Sequence, residues 1–192
     1  MRGLLIVDVQ NDFTEGGALG VDGGTDVARG ITAYLAEHRD DYDVVIASRD
    51  WHNPNDDNGG HFATDSEPNF VDTWPVHCVA DTFGAEYHPE LDISHVDVHV
   101  KKGQGEPAYS MFEGITDDGH SVAEVLQARG ITQVDVVGIA TDHCVRASAL
   151  DALSGGQEVT VLTDLIAAVT PDTGENALSE LVAHGATLQT SS

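Results

Sequence analysis

Six short runs rich in apolar and β-branched residues alternate with stretches of helical periodicity. This alternation constrains the chain more than any other feature. The runs are "GLLIVDV" (3–9), "DVVIAS" (43–48), "VDVHVKK" (96–102), "QVDVVGIA" (133–140), "EVTVLTD" (158–164) and "ATLQT" (186–190). The first is near-continuously apolar, as expected of a strand covered on both faces. Between the runs, Val27, Ile31, Tyr34 and Leu35 recur at helical spacing over 26–38. Further helices are expected at 121–130, 144–156 and about 172–184, the second and third of the four stopping at glycines. Strand, helix, strand in repetition predicts an α/β fold: three layers, with a mostly parallel six-stranded sheet and helices on both faces, Rossmann-like. A length of 192 residues predicts one domain over 1–192. The exception to the rhythm is a region of about 49–95, rich in Asp, Asn, Gly, Pro and His. Loops of that length are usually functional or disordered, and this one holds both tryptophans and several histidines, which favours function.

Charge excludes some partners. Asp and Glu number 33 against 8 Lys and Arg, a formal net charge of −25. Such a surface repels nucleic acid and anionic membranes, which require clustered positive charge. The acidic residues are scattered and lysines are very few, so adaptation to high salt (a halophilic protein) is expected, with an ordinary acidic protein as the plainer alternative. No stretch approaches the roughly 18 apolar residues of a membrane span. The N-terminal "MRGLLIVDVQNDF" reads as a first core strand and not a signal peptide, so a cytoplasmic location is expected. Two cysteines, Cys78 and Cys144, make no disulfide framework and are expected to be free thiols.

In open parallel sheets, ligands bind at the carboxyl ends of the strands. Here strand one ends at Asp8, strand two runs into "RDWHNPNDDNGGH", strand three ends at Lys101-Lys102, and strand four leads into "TDHC". A carboxylate, a metal-type loop, a lysine and a thiol are thus expected at one edge. Singly, each has a plain alternative: a turn acid, a polar loop, a solvated lysine, a packed thiol. Together they suit acid–base and nucleophilic chemistry. Thr141 and Asp142 are able to cap a helix, which would place Cys144 in a first turn where the helix dipole lowers a thiol pKa. His143 adjoins Cys144, but helical neighbours point about 100° apart, so Asp8 is the preferred base and His143 has a minor role. Cys78 is expected to be a packed core residue. Asp50 and His52, with His61 and His77, offer one carboxylate and imidazoles suited to Zn²⁺, Fe²⁺ or Mn²⁺. Asp56-Asp57 is expected to be solvated.

The motifs "IVDVQNDF", "GGALGVDGG", "RDWHNPNDDNGGHF", "TWPVHCV", "HPEL", "KKG", "YSMFEG" and "VDVVGIATDHCVRASALDA" run in order through nearly the whole chain. In these the chain resembles the nicotinamidase/pyrazinamidase group of the isochorismatase-like cysteine hydrolases. The resemblance implies a catalytic triad of Asp8, Lys102 and Cys144, with Lys102 preferred to Lys101 because it directly precedes Gly103. It implies one divalent metal, Zn²⁺ foremost, held by Asp50, His52, His61 and His77. It implies a substrate pocket lined by Phe13, Trp74, Tyr109, Ile139 and His143. It also implies a cis peptide before Ala140, with the amides of Ala140 and Cys144 as oxyanion hole. The implied activity is hydrolysis of nicotinamide to nicotinate and ammonia, and of pyrazinamide. Alternatives are a related cysteine hydrolase of another small amide, a metal-activated water, or a non-catalytic binding protein. The implied partner is a small molecule, with the chain monomeric or homo-oligomeric.

Overall fold

The computed structural model describes residues 1–192. Its centre is a seven-stranded sheet of β1 (Arg2–Val7), β2 (Val44–Asp50), β3 (Val98–Lys102), β4 (Ile115–Thr116), β5 (Gln133–Ile139), β6 (Glu158–Ala167) and β7 (Thr187–Gln189). The spatial order is β4-β3-β2-β1-β5-β6-β7. All neighbours pair parallel except β3 with β4. The sheet has one strand more than the six expected. The addition is the two-residue antiparallel β4, too short to show any periodicity. β6 also runs past the expected end at 164 to Ala167, carried by a register shift opposite Val136–Gly138 in β5.

Side chains alternate along the strands and divide the core into two layers. Leu5, Val7, Val44, Ile46, Val134 and Val136 face α2 (Val122–Ala128), α3 (Arg146–Ser154) and α4 (Pro171–Ala183). Leu4, Ile6, Val45, Ala47, Val137 and Ile139 face α1 (Gly24–His38), whose Val27, Ala28, Ile31 and Leu35 are buried against them. Three helices therefore cover one face, and α1 with the long 51–97 connection covers the other. Local chemistry sets the starts of two helices: Ser121 and Glu124 form a reciprocal cap on α2, and Thr170 caps α4 just before Pro171. No helix is long and apolar enough to cross a membrane.

Candidate active site

β1 is central, and the site assembles where it ends. Asp8 takes a left-handed φ of 48°, so the chain leaves the sheet there. On one side, β5 delivers Cys144 in the turn that follows it. On the other, β2 and β3 align Asp50 with Lys102 as register partners. The lysine stem is long enough to cross β2, so Lys102 Nζ pairs with Asp50 Oδ1, lies 2.9 Å from Asp8 Oδ2, and sits 3.9 Å from Cys144 Sγ. The other Asp8 oxygen accepts from the Ser48 hydroxyl at 2.6 Å. Asp8 Oδ2 is met by the Lys102 ammonium alone.

Every member is buried, and an ammonium between two carboxylates makes that tolerable. Burial opposes the charge of Lys102, but Asp50, Asp8 and Cys144 outweigh it and hold the ammonium well above its ordinary pKa. Burial raises Asp8, and Lys102 only partly reverses this. Burial also opposes ionisation of Asp50, yet Lys102, His52 and His77 carry it well below the usual carboxylate range. The two acids are thus separated: Asp50 is committed to its charge, while Asp8 is the one able to take a proton.

The expected low thiol pKa is not found. Burial pushes Cys144 well above its ordinary value; Lys102 pulls down, and the two carboxylates add to the rise. The expected cap is also corrected. Thr141–Val145 forms a π-type turn, α3 begins only at Arg146, and no side chain caps the turn. Asp142 instead accepts from the Val169 N–H at 3.0 Å and from the Thr173 hydroxyl, tying the turn to α4. The Ile139–Ala140 peptide is cis.

His52, His61 and His77 place ligand-type atoms within 4.8 Å of one another, all buried. His52 Nδ1 is held by the Gly103 carbonyl and His77 Nδ1 by the Pro75 carbonyl, each at 2.7 Å. Their Nε2 atoms face Asp50 Oδ2 at 3.5 and 3.6 Å. His52 Nε2 and His61 Nδ1 are buried with no hydrogen-bond partner. Burial, then the neighbouring His52 and His77, push His61 down to about 4, so it is neutral with a free lone pair at neutral pH. Orphaned imidazole nitrogens beside an ionised carboxylate fit a divalent metal. The compact group is the three histidines; Asp50 flanks it and is shared with Lys102.

A mostly apolar cavity of about 500 Å³ opens onto both groups. Phe13, Trp74, Tyr109, Ile139, Ala140, His143 and Cys144 line it, together with Asp50, His61 and His77. Trp74 Nε1 donates to the Tyr109 hydroxyl at 3.0 Å, and His143 meets the Trp74 ring edge-on at 5.3 Å. His143 is thus part of the wall. Cys78 is buried and free. Its N–H is anchored at 2.7 Å by Asp12, fixing the residue after His77. Asp56 and Asp57 are exposed.

Several cavity residues were not anticipated. Gly17–Val21 form one lip, and Phe70, Ala108 and Val169 complete the wall. The lip lies within "GGALGVDGG", where only the glycines hint at a special loop. Ser48 and Val169 carry no signal in the sequence; their neighbours define them.

The isochorismatase domain model matches residues 2–192. The chain is 49% identical over 181 residues to the nicotinamidase/pyrazinamidase of Mycobacterium tuberculosis, covering 94% of each. It is similar to the pyrazinamidase of Pyrococcus horikoshii in complex with zinc, with a TM-score of 0.82, 34% identity and 98% of both chains covered. PnC1 from L. infantum in complex with nicotinate gives a TM-score of 0.85 at 34% identity, covering 100% of this chain and 93% of that one. On sequence and architecture together, the chain belongs to the isochorismatase family.

Proposed function

We propose that this chain is a nicotinamidase, hydrolysing nicotinamide to nicotinate and ammonia, and pyrazinamide by the same steps, in the cytoplasm. The observation that carries the reading is one cavity lined both by Cys144, which sits 3.9 Å from Lys102 Nζ in the Asp8–Lys102–Cys144 cluster, and by His61, His77 and Asp50 of the histidine group.

The resting thiol is protonated, because burial raises its pKa. Attack therefore needs a base, and Asp8, the thiol's carboxylate neighbour whose pKa burial raises, is placed for it. As Asp8 takes the proton, Cys144 Sγ bonds to the carboxamide carbon and the carbonyl π electrons move to oxygen. The N–H groups of Ala140 and Cys144 receive that oxyanion; a single such donor is typically worth about 2.7–4 kcal/mol. Asp8 returns its proton to the leaving nitrogen, the C–N bond breaks, and ammonia departs from a thioester. Asp8 then deprotonates water, which attacks the thioester, and the acid leaves as the thiol is restored. Lys102 balances negative charge as it moves between sulfur and carboxylate. His52, His61, His77 and Asp50 would hold a divalent ion, Zn²⁺ by preference, which when bound supplies a Lewis-acid contact for the ring nitrogen. Phe13, Trp74 and Tyr109 hold the ring and exclude water.

Ammonia release from nicotinamide, with and without chelator, tests the activity. Cys144→Ala is expected to lower turnover by about a thousandfold or more while Zn²⁺ binding persists. Turnover near wild type in that variant would sink the nucleophile assignment.

A further inference from the structure

Beyond Ile6, β1 no longer pairs with β2. The last β1–β2 register pair is Ile6 with Ala47, whereas β2 continues to Asp50 beside β3. On its β1 side, Asp50 is left with a backbone N–H and C=O and no strand to pair with. Gln10 occupies that place. Its side chain is fully buried. The amide oxygen accepts from the Asp50 N–H at 2.8 Å, and the amide nitrogen donates to the Asp50 carbonyl at 2.9 Å. The same nitrogen also donates to the Ala85 carbonyl at 2.8 Å. A primary carboxamide carries the same donor and acceptor as a peptide group, so it pairs with Asp50 as a strand residue would.

We propose that Gln10 is a positioning residue: its amide replaces the missing strand partner of Asp50 and so aims the Asp50 carboxylate at Lys102 with one oxygen and at His52 and His77 with the other. Gln10 lies outside the cavity lining, so it acts only through the backbone it holds. A strand end with unpaired polar groups frays, and the 3.5 and 3.6 Å approaches of Asp50 Oδ2 to the two histidines would be lost with it. The inference rests on the reading that these residues hold a divalent metal.

The test is Zn²⁺ affinity of the full chain, measured by competition with a chromophoric chelator, alongside the melting temperature. Gln10→Ala is expected to weaken Zn²⁺ binding about 10- to 100-fold. Gln10→Glu keeps the shape but loses both amide donors and places a charge against the Asp50 and Ala85 carbonyls, so it too should weaken binding. Leu181→Ala, a core truncation in α4, supplies a destabilised reference whose affinity stays within about twofold of wild type. Wild-type affinity in the Gln10 variants, or an equal loss in Leu181→Ala, would overturn the assignment. If Gln10→Ala does not fold, Gln10→Glu decides. Failure of the unaltered protein to bind Zn²⁺ would instead overturn the metal reading, whereas unchanged affinity in the variants leaves that reading standing.

Discussion

The chain contains two lysines, and they are adjacent. Strand alternation sends them to opposite faces of β3. Lys102 is 2% exposed among Asp8, Asp50 and Cys144, while Lys101 lies 4.8 Å above the Trp51 ring and 3.2 Å from Asp117. Both candidates were visible in the sequence. Only the glycine after Lys102 distinguished them, through resemblance; burial gives the physical reason. His61 shows the converse. Its residue type marked it as a ligand candidate, but nothing local indicates a folded pKa of about 4, which follows from burial and two neighbouring imidazoles. In the metal-free protein, a folded pKa below the unfolded value of about 6.5 means that the unfolded chain binds the proton first as pH falls. Stability is therefore expected to decrease from pH ~6.5 towards ~4, and to recover as pH rises. Urea unfolding at a series of pH values checks this: His61→Asn should flatten the slope, and an unchanged slope would count against it.

At the scale of elements, the alternation of apolar runs and helical spacing located all four helices and six of the seven strands. What it missed was β4, two residues long, and the π-type turn before α3, which Thr141 and Asp142 disguise as an ordinary capped start. That turn is decided by contacts from outside it, since Asp142 is drawn to Val169 and Thr173. The β3 exit illustrates how tightly the elements meet. Gly103 has a φ of +77°, and a Cβ there would stand 2.5 Å from His52 Cε1. Gly103→Ala is expected to cost about 1 kcal/mol or more of stability and to weaken Zn²⁺ binding at least about tenfold. Gly119 has a comparable φ of +86°, but a Cβ there would meet nothing within 4 Å. Gly119→Ala should therefore lower stability alone. Chemical denaturation with metal competition separates the two, and equal metal affinity in both variants would contradict the account.

At the scale of the whole molecule, the formal charge of −25 must be accommodated on a folded surface. Raising salt shortens the Debye length from ~10 Å at ~0.1 M to ~3 Å at ~1 M and weakens self-repulsion. The melting temperature is accordingly expected to rise from low to molar KCl; a flat or falling curve would exclude salt adaptation. Charge bears on salt response without choosing a fold, so the expectation of salt adaptation rests on composition alone. The sequence also determined the layer architecture, because hydrophobic periodicity is a local property of the chain, and it supplied the residue types for the site. Tertiary structure alone decided how those residues act. Ser48 holds Asp8, Gln10 holds Asp50, and burial raises the thiol while Lys102 keeps Asp50 charged. These effects depend on distance and dielectric between residues up to more than a hundred positions apart, and neither quantity is encoded by spacing along the chain.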